Sequence, residues 1–88
     1  MKISEEVLQE IAEQTDNNDH GGALLTAANA LGLTFLAELL VSNNSAHERL
    51  GYLSPELCGR RDRIADAVFA FAKINLSAED YDKLYHVF

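Results

Sequence analysis

The stretch from Gly22 to Val41 constrains this chain most: in twenty residues it carries a single charge, Glu38. At 100° per residue Leu24, Leu25, Ala28, Leu31, Phe35, Leu36 and Leu39 share one face of a continuous helix. A segment this apolar is stable in a protein interior or in a membrane. Residues 23–41 reach the length of a marginal span, but Asn29, Glu38 and the Ala, Thr and Gly content keep the hydropathy modest. The segment is therefore expected to be the central helix of a soluble core. Gly32 weakens a continuous helix by about 1 kcal/mol relative to Ala, which leaves open a second reading, two helices meeting near Gly32 and Thr34. Leu33 and Leu40 fall on the other face and are expected at the surface, as ordinary exposed leucines or as contacts to a partner or a second copy.

The flanking sequence reads as further helices with their caps. From Ile3 to Gln14, Ile3, Val7, Leu8, Ile11 and Ala12 lie on one side and Glu5, Glu6, Gln9, Glu10, Glu13 and Gln14 on the other. Ser4 is the expected N-cap, Ile3 and Leu8 are spaced for a hydrophobic staple, and Glu5 and Glu6 suit the positive first turn. Thr15 to Asp19 reads as a polar loop. Asn43 and Asn44 signal a turn, followed by a short helix from Ser45, with Glu48 at capping-box spacing, to near Gly51. Ser54 and Pro55 start a helix reaching about Asn75, with Leu57, Ile64, Ala65, Val68, Phe71 and Ala72 on its apolar face. Ser77 caps a last helix, in which Tyr81, Leu84, Tyr85 and Phe88 recur at helical spacing and Leu76 is placed to staple onto Tyr81. No run alternates as a strand does. The expected fold is an all-α bundle of four to five helices around the central apolar helix, one domain over residues 1–88.

Charge narrows the partners. Seven basic and fourteen acidic residues give a net charge of −7, which opposes attraction to phosphate backbones or anionic lipid and favours a basic partner. The asymmetry is local: residues 1–19 hold Glu5, Glu6, Glu10, Glu13, Asp16 and Asp19 against Lys2 alone. A single cysteine, Cys58, cannot form an internal disulfide, and no secretory leader pattern opens the chain. A cytoplasmic setting is expected.

Motifs for chemistry fail on inspection. Asp16, Asn18, His20 and Gly21 match the first places of a calcium loop, but its twelfth place, which needs a bidentate carboxylate, is Ala27. Residues 26–41 partly follow a helix-turn-helix pattern. However, Glu38 falls where a buried apolar residue belongs, and Thr34 to Val41 offers no Lys or Arg to meet phosphate. His20, His47 and His86 lack zinc spacing, Cys58 has no companion thiol, and no Asp-Ser-Leu triplet exists to carry phosphopantetheine. No catalytic residue, cofactor or metal is expected.

Two features retain functional content. Glu6, Glu10 and Glu13 stand on successive turns with Asp16 and Asp19 beyond them, an array suited either to a basic groove or simply to solvent. Arg60, Arg61 and Arg63 crowd the start of a helix, where the dipole disfavours cations. Glu56 with Arg60 and Arg63 with Asp66 have pairing distance along the helix, leaving Arg61 to bind a carboxylate or a helix C-terminus or to anchor an interface. The expected function is non-enzymatic: an inhibitor or adaptor that occupies a basic surface of a larger protein through Glu6, Glu10, Glu13, Asp16 and Asp19. The alternative is a self-associating structural or regulatory protein, a homodimer through Leu33 and Leu40 with Arg61 at the interface. In size, acidity and lack of chemistry the chain resembles small phage-encoded inhibitors of the anti-CRISPR kind. Some of these block nucleic-acid-binding surfaces, which implies action in a host cytoplasm. The resemblance covers the whole chain loosely and rests on no shared motif, so it transfers no residue role and no target.

Overall fold

The computed structural model of the chain describes residues 1–50 and 54–88. It contains five helices: α1 (Glu5–Asp16), α2 (His20–Ala30), α3 (Thr34–Leu50), α4 (Pro55–Asn75) and α5 (Ala78–Val87), with no strand among the described residues. The all-α bundle expected from the sequence is what forms. α1 packs chiefly on α2, α2 on α3 and α3 on α4, and α5 returns to lie against α1 and α4. Ile11, Ala27, Ala28, Leu40, Val68 and Leu84 form the most deeply buried layer, contributed by all five helices.

The helix starts follow their caps. The Ser4 hydroxyl accepts from the Val7 N–H at 3.2 Å, and Ile3 and Leu8 are both buried in the core, as a staple requires. α1 runs two residues past the expected Gln14. It ends where Asn18 takes a left-handed φ of 59°, a conformation that asparagine tolerates better than most residues. The Thr15 hydroxyl, expected in a loop, lies 2.9 Å from the Ala12 carbonyl oxygen and 3.0 Å from that of Val87, and so can tie α1 to the end of α5. Asp19 then caps α2, its carboxylate accepting from the Gly22 N–H at 2.9 Å. Ser77 caps α5 by accepting from the Asp80 N–H at 3.1 Å.

The central helix is where the sequence reading of one continuous element fails. The segment breaks into α2 and α3 at Gly32, which has φ +74°. The Gly32 N–H donates to the Asn29 carbonyl and the Leu33 N–H to that of Ala28, at 3.1 and 2.9 Å, the paired bonds of a Schellman C-cap with glycine at its left-handed position. A Cβ added to Gly32 would meet nothing within 4 Å, so conformation alone requires glycine there. Gly32→Ala is expected to destabilise the fold by about 1–2 kcal/mol through the left-handed penalty. Urea unfolding checks this, and unchanged stability would mean that the turn does not need the positive φ.

The break resets the rotational phase of everything after it. Leu40, expected at the surface, is fully buried, and Leu33 is half-buried against the core. Phe35 and Leu39, expected inside with Leu31, are 71% and 37% exposed. The turn expected at Asn43 and Asn44 is also absent, because both residues are internal to α3. Asn43 is buried and its side-chain amide donates to the Leu57 carbonyl of α4 at 3.2 Å. Asn44 lies so close to α2 that a Cβ on Gly21 would fall 2.5 Å from its side-chain oxygen. Packing against two neighbours thus overrides the asparagines' local preference for a turn. The expected separate helix from Ser45 is the last part of α3, and its expected end near Gly51 lies outside the described residues.

Candidate functional site: the outer face of the first helix

The large apolar residues of α1 all face the core. Leu8 and Ile11 are buried, Val7 packs against the core, and the helix lies between α2 and α5. That arrangement turns Glu6, Glu10 and Glu13 outward, all of them exposed. Asp16 closes the helix and is exposed as well, about 15 Å along the axis from Glu6 at 1.5 Å per residue.

These carboxylates are not neutralised by neighbours. Among the described residues the ion pairs are those of Lys83, which stands 3.6 Å from Glu5 and 3.5 Å from Glu79. The carboxylates of Glu79 first and Glu5 second hold the Lys83 ammonium above the usual lysine range. Being exposed, this contact fastens α5 to α1 only weakly. It consumes Glu5 and leaves Glu6, Glu10, Glu13 and Asp16 without a cation. No basic residue occupies the last turn of α1, so Glu13 and Asp16 face the negative end of the helix dipole.

Asp19 does not belong to that array in the same way. One of its oxygens is committed to the α2 cap, and the residue lines a groove of about 360 Å³ with Asn18, His20, Asn44, His47, Glu48 and Arg61. Arg61 is half-buried and also borders a second groove, of about 280 Å³, lined by Leu24, Phe69 and Phe88. Neither Arg61 nor the expected pairs Glu56 with Arg60 and Arg63 with Asp66 appear among the ion pairs of the described residues. The fold therefore brings Arg61 and Asp19 to one wall while α1 displays its carboxylates elsewhere. Both ring nitrogens of His47 are buried there without a hydrogen-bond partner, a detail that no spacing in the sequence signals.

The surface expected from Leu33 and Leu40 is not formed, since Leu40 is sealed in the core. The exposed apolar residues of α3 are instead Phe35, Leu39, Val41 and Leu50. Cys58 is half-buried and unpaired. Among the described residues no group of three or more His, Cys, Asp or Glu is arranged to hold a metal ion, and no helix is long and apolar enough to cross a membrane. Comparison with protein-family models, curated protein sequences and solved structures finds no match.

Proposed function

We propose that the protein is a non-enzymatic binding domain, a small inhibitor or adaptor that sets Glu6, Glu10, Glu13 and Asp16 of α1 against a basic surface of a larger protein. The observation that carries this reading is the set of four exposed carboxylates on one helix without an ion-pair partner among the described residues, two of them placed against the helix dipole. Carboxylates at that end cost roughly 0.3–1 kcal/mol each, and solubility alone could be met by charges placed elsewhere. A basic groove repays the cost: complementary charge speeds encounter and fixes register. The likeness in type to anti-CRISPR inhibitors fits a target whose basic surface binds nucleic acid, with the domain competing for that surface in the host cytoplasm.

The test uses the intact chain as bait in a lysate of its source cells, with the captured protein identified by mass spectrometry and its affinity then measured. The triple variant Glu6→Lys, Glu10→Lys, Glu13→Lys is expected to lose at least about a hundredfold in affinity, as reversed charges turn attraction into repulsion. Raising salt from about 0.05 to 0.5 M should weaken the wild type. All three positions are exposed, so the helical signal in circular dichroism should be retained. A captured partner that binds the variant and wild type equally, at any salt, would place the interface away from α1.

A further inference from the structure

We propose that the outer apolar stripe of α3 is covered by α3 of a second copy, packed antiparallel about a two-fold axis that passes beside Ser42. The inference is independent of the reading of α1, which shares no packing with α3. With its phase set by Gly32, α3 buries Ala37, Leu40 and Asn43 on one side. Phe35, Leu39, Ala46 and Leu50 then fall within about 60° of one another, on the flank that adjoins Asn43. Phe35, Leu39 and Leu50 are 71%, 37% and 46% exposed, so the stripe offers apolar surface from one end of α3 to the other.

The occupant follows from the symmetry of the stripe. Its spacings are four, seven and four residues, the same read in either direction. Two copies of α3 laid antiparallel therefore set Phe35 against Leu50 and Leu39 against Ala46, twice over. The small Ser42 at the centre allows close approach. Ala46 and Leu50 also border a groove of about 450 Å³ that reaches Leu57 of α4, and this register delivers the Phe35 ring of the second copy to its mouth. Charge selects the direction. Glu38 and Arg49 lie on the same flank of the stripe, and neither is in an ion pair among the described residues. In the antiparallel pair, Glu38 of one copy stands within two residues, about 3 Å of rise, of level with Arg49 of the other. A parallel pair would put these flanks on opposite sides of the seam and leave both charges unmatched.

Four apolar side chains from each copy and two ion pairs make an interface at the small, exchanging end of the range. Light scattering from about 1 µM to 1 mM should therefore show the passage from monomer to dimer. Phe35→Asp with Leu39→Asp is expected to raise the dissociation constant about a hundredfold or more while leaving thermal unfolding of the monomer intact, since neither side chain is in the core. Glu38→Arg alone should weaken the dimer about tenfold. Glu38→Arg combined with Arg49→Glu should restore it, because the swapped charges still meet across the axis. A wild-type chain that stays monomeric at about 1 mM overturns the proposal, as does a dimer indifferent to the Phe35 and Leu39 changes. A dimer that the double charge swap fails to restore overturns the antiparallel register.

Discussion

Leu40→Asp is expected to leave the chain unfolded at neutral pH rather than to release a monomer from a dimer. Leu40 has no solvent exposure and packs in the core cluster that all five helices build. Aspartate there removes the leucine's packing and places a carboxylate in the apolar core. An uncompensated buried charge costs about 3–5 kcal/mol, and removal of a buried leucine about 2–5 kcal/mol. Their combination rivals the whole stability of about 5–10 kcal/mol usual for a domain of this size. Leu40→Ala, which loses only the packing, should fold with a lower urea midpoint. Circular dichroism separates the cases: a helical, cooperatively unfolding Leu40→Asp chain would mean that α3 presents a different face to the core.

The second large effect is expected at Asn43, with a dependence on pH that identifies its cause. The buried amide nitrogen donates to the Leu57 carbonyl, while its side-chain oxygen is buried without a partner. Asn43→Asp keeps the shape and replaces the donor by a carboxylate facing a carbonyl oxygen. Burial and that oxygen both disfavour the charge, so the folded-state pKa of the introduced carboxyl rises above its unfolded value near about 4. With the folded pKa raised, the unfolded state ionises first. The variant is therefore expected to approach wild-type stability below about pH 4, where a protonated carboxyl can donate to Leu57. It should lose about 3 kcal/mol or more as pH rises through the folded pKa. Urea melts of both proteins at each pH provide the check. A deficit that stays constant from acid to neutral pH would assign the loss to shape, and a variant as stable as wild type at neutral pH would remove Asn43 from the set of groups joining α3 to α4.

The two experiments bracket what the sequence could convey about α3. Gly32 was visible as a weak point, and the left-handed C-cap is its ordinary use, yet the apolar run continues across it without loss of character. With leucine, alanine and phenylalanine on both sides, a helical wheel drawn through Gly32 and one restarted after it each produce a plausible buried face. Only the second buries Leu40 and exposes Phe35. The two asparagines misled for a related reason: their local preference is for turns, and their burial against Leu57 and Gly21 involves partners distant in the chain.

The candidate site was more legible. Glu6, Glu10 and Glu13 line up because α1 is amphipathic, and the buried side of an amphipathic helix fixes its solvent side without reference to what covers it. The consumption of Glu5 by Lys83 and the engagement of Asp19 in a cap depend on where α5 and the turn lie, and no spacing announces the former.

By itself the sequence determined the class of fold, helix starts at Ser4, Ser54 and Ser77, and the carboxylate face of α1, because the Ser4 and Ser77 caps, the proline after Ser54 and the amphipathic period are local properties written within a few turns. The tertiary structure alone decided which side of α3 faces inward and which is left for another molecule. Rotational phase across a helix break is set by the dihedral angles of one glycine and by the neighbours that the following helix must meet, and neither quantity is carried by the order of apolar residues.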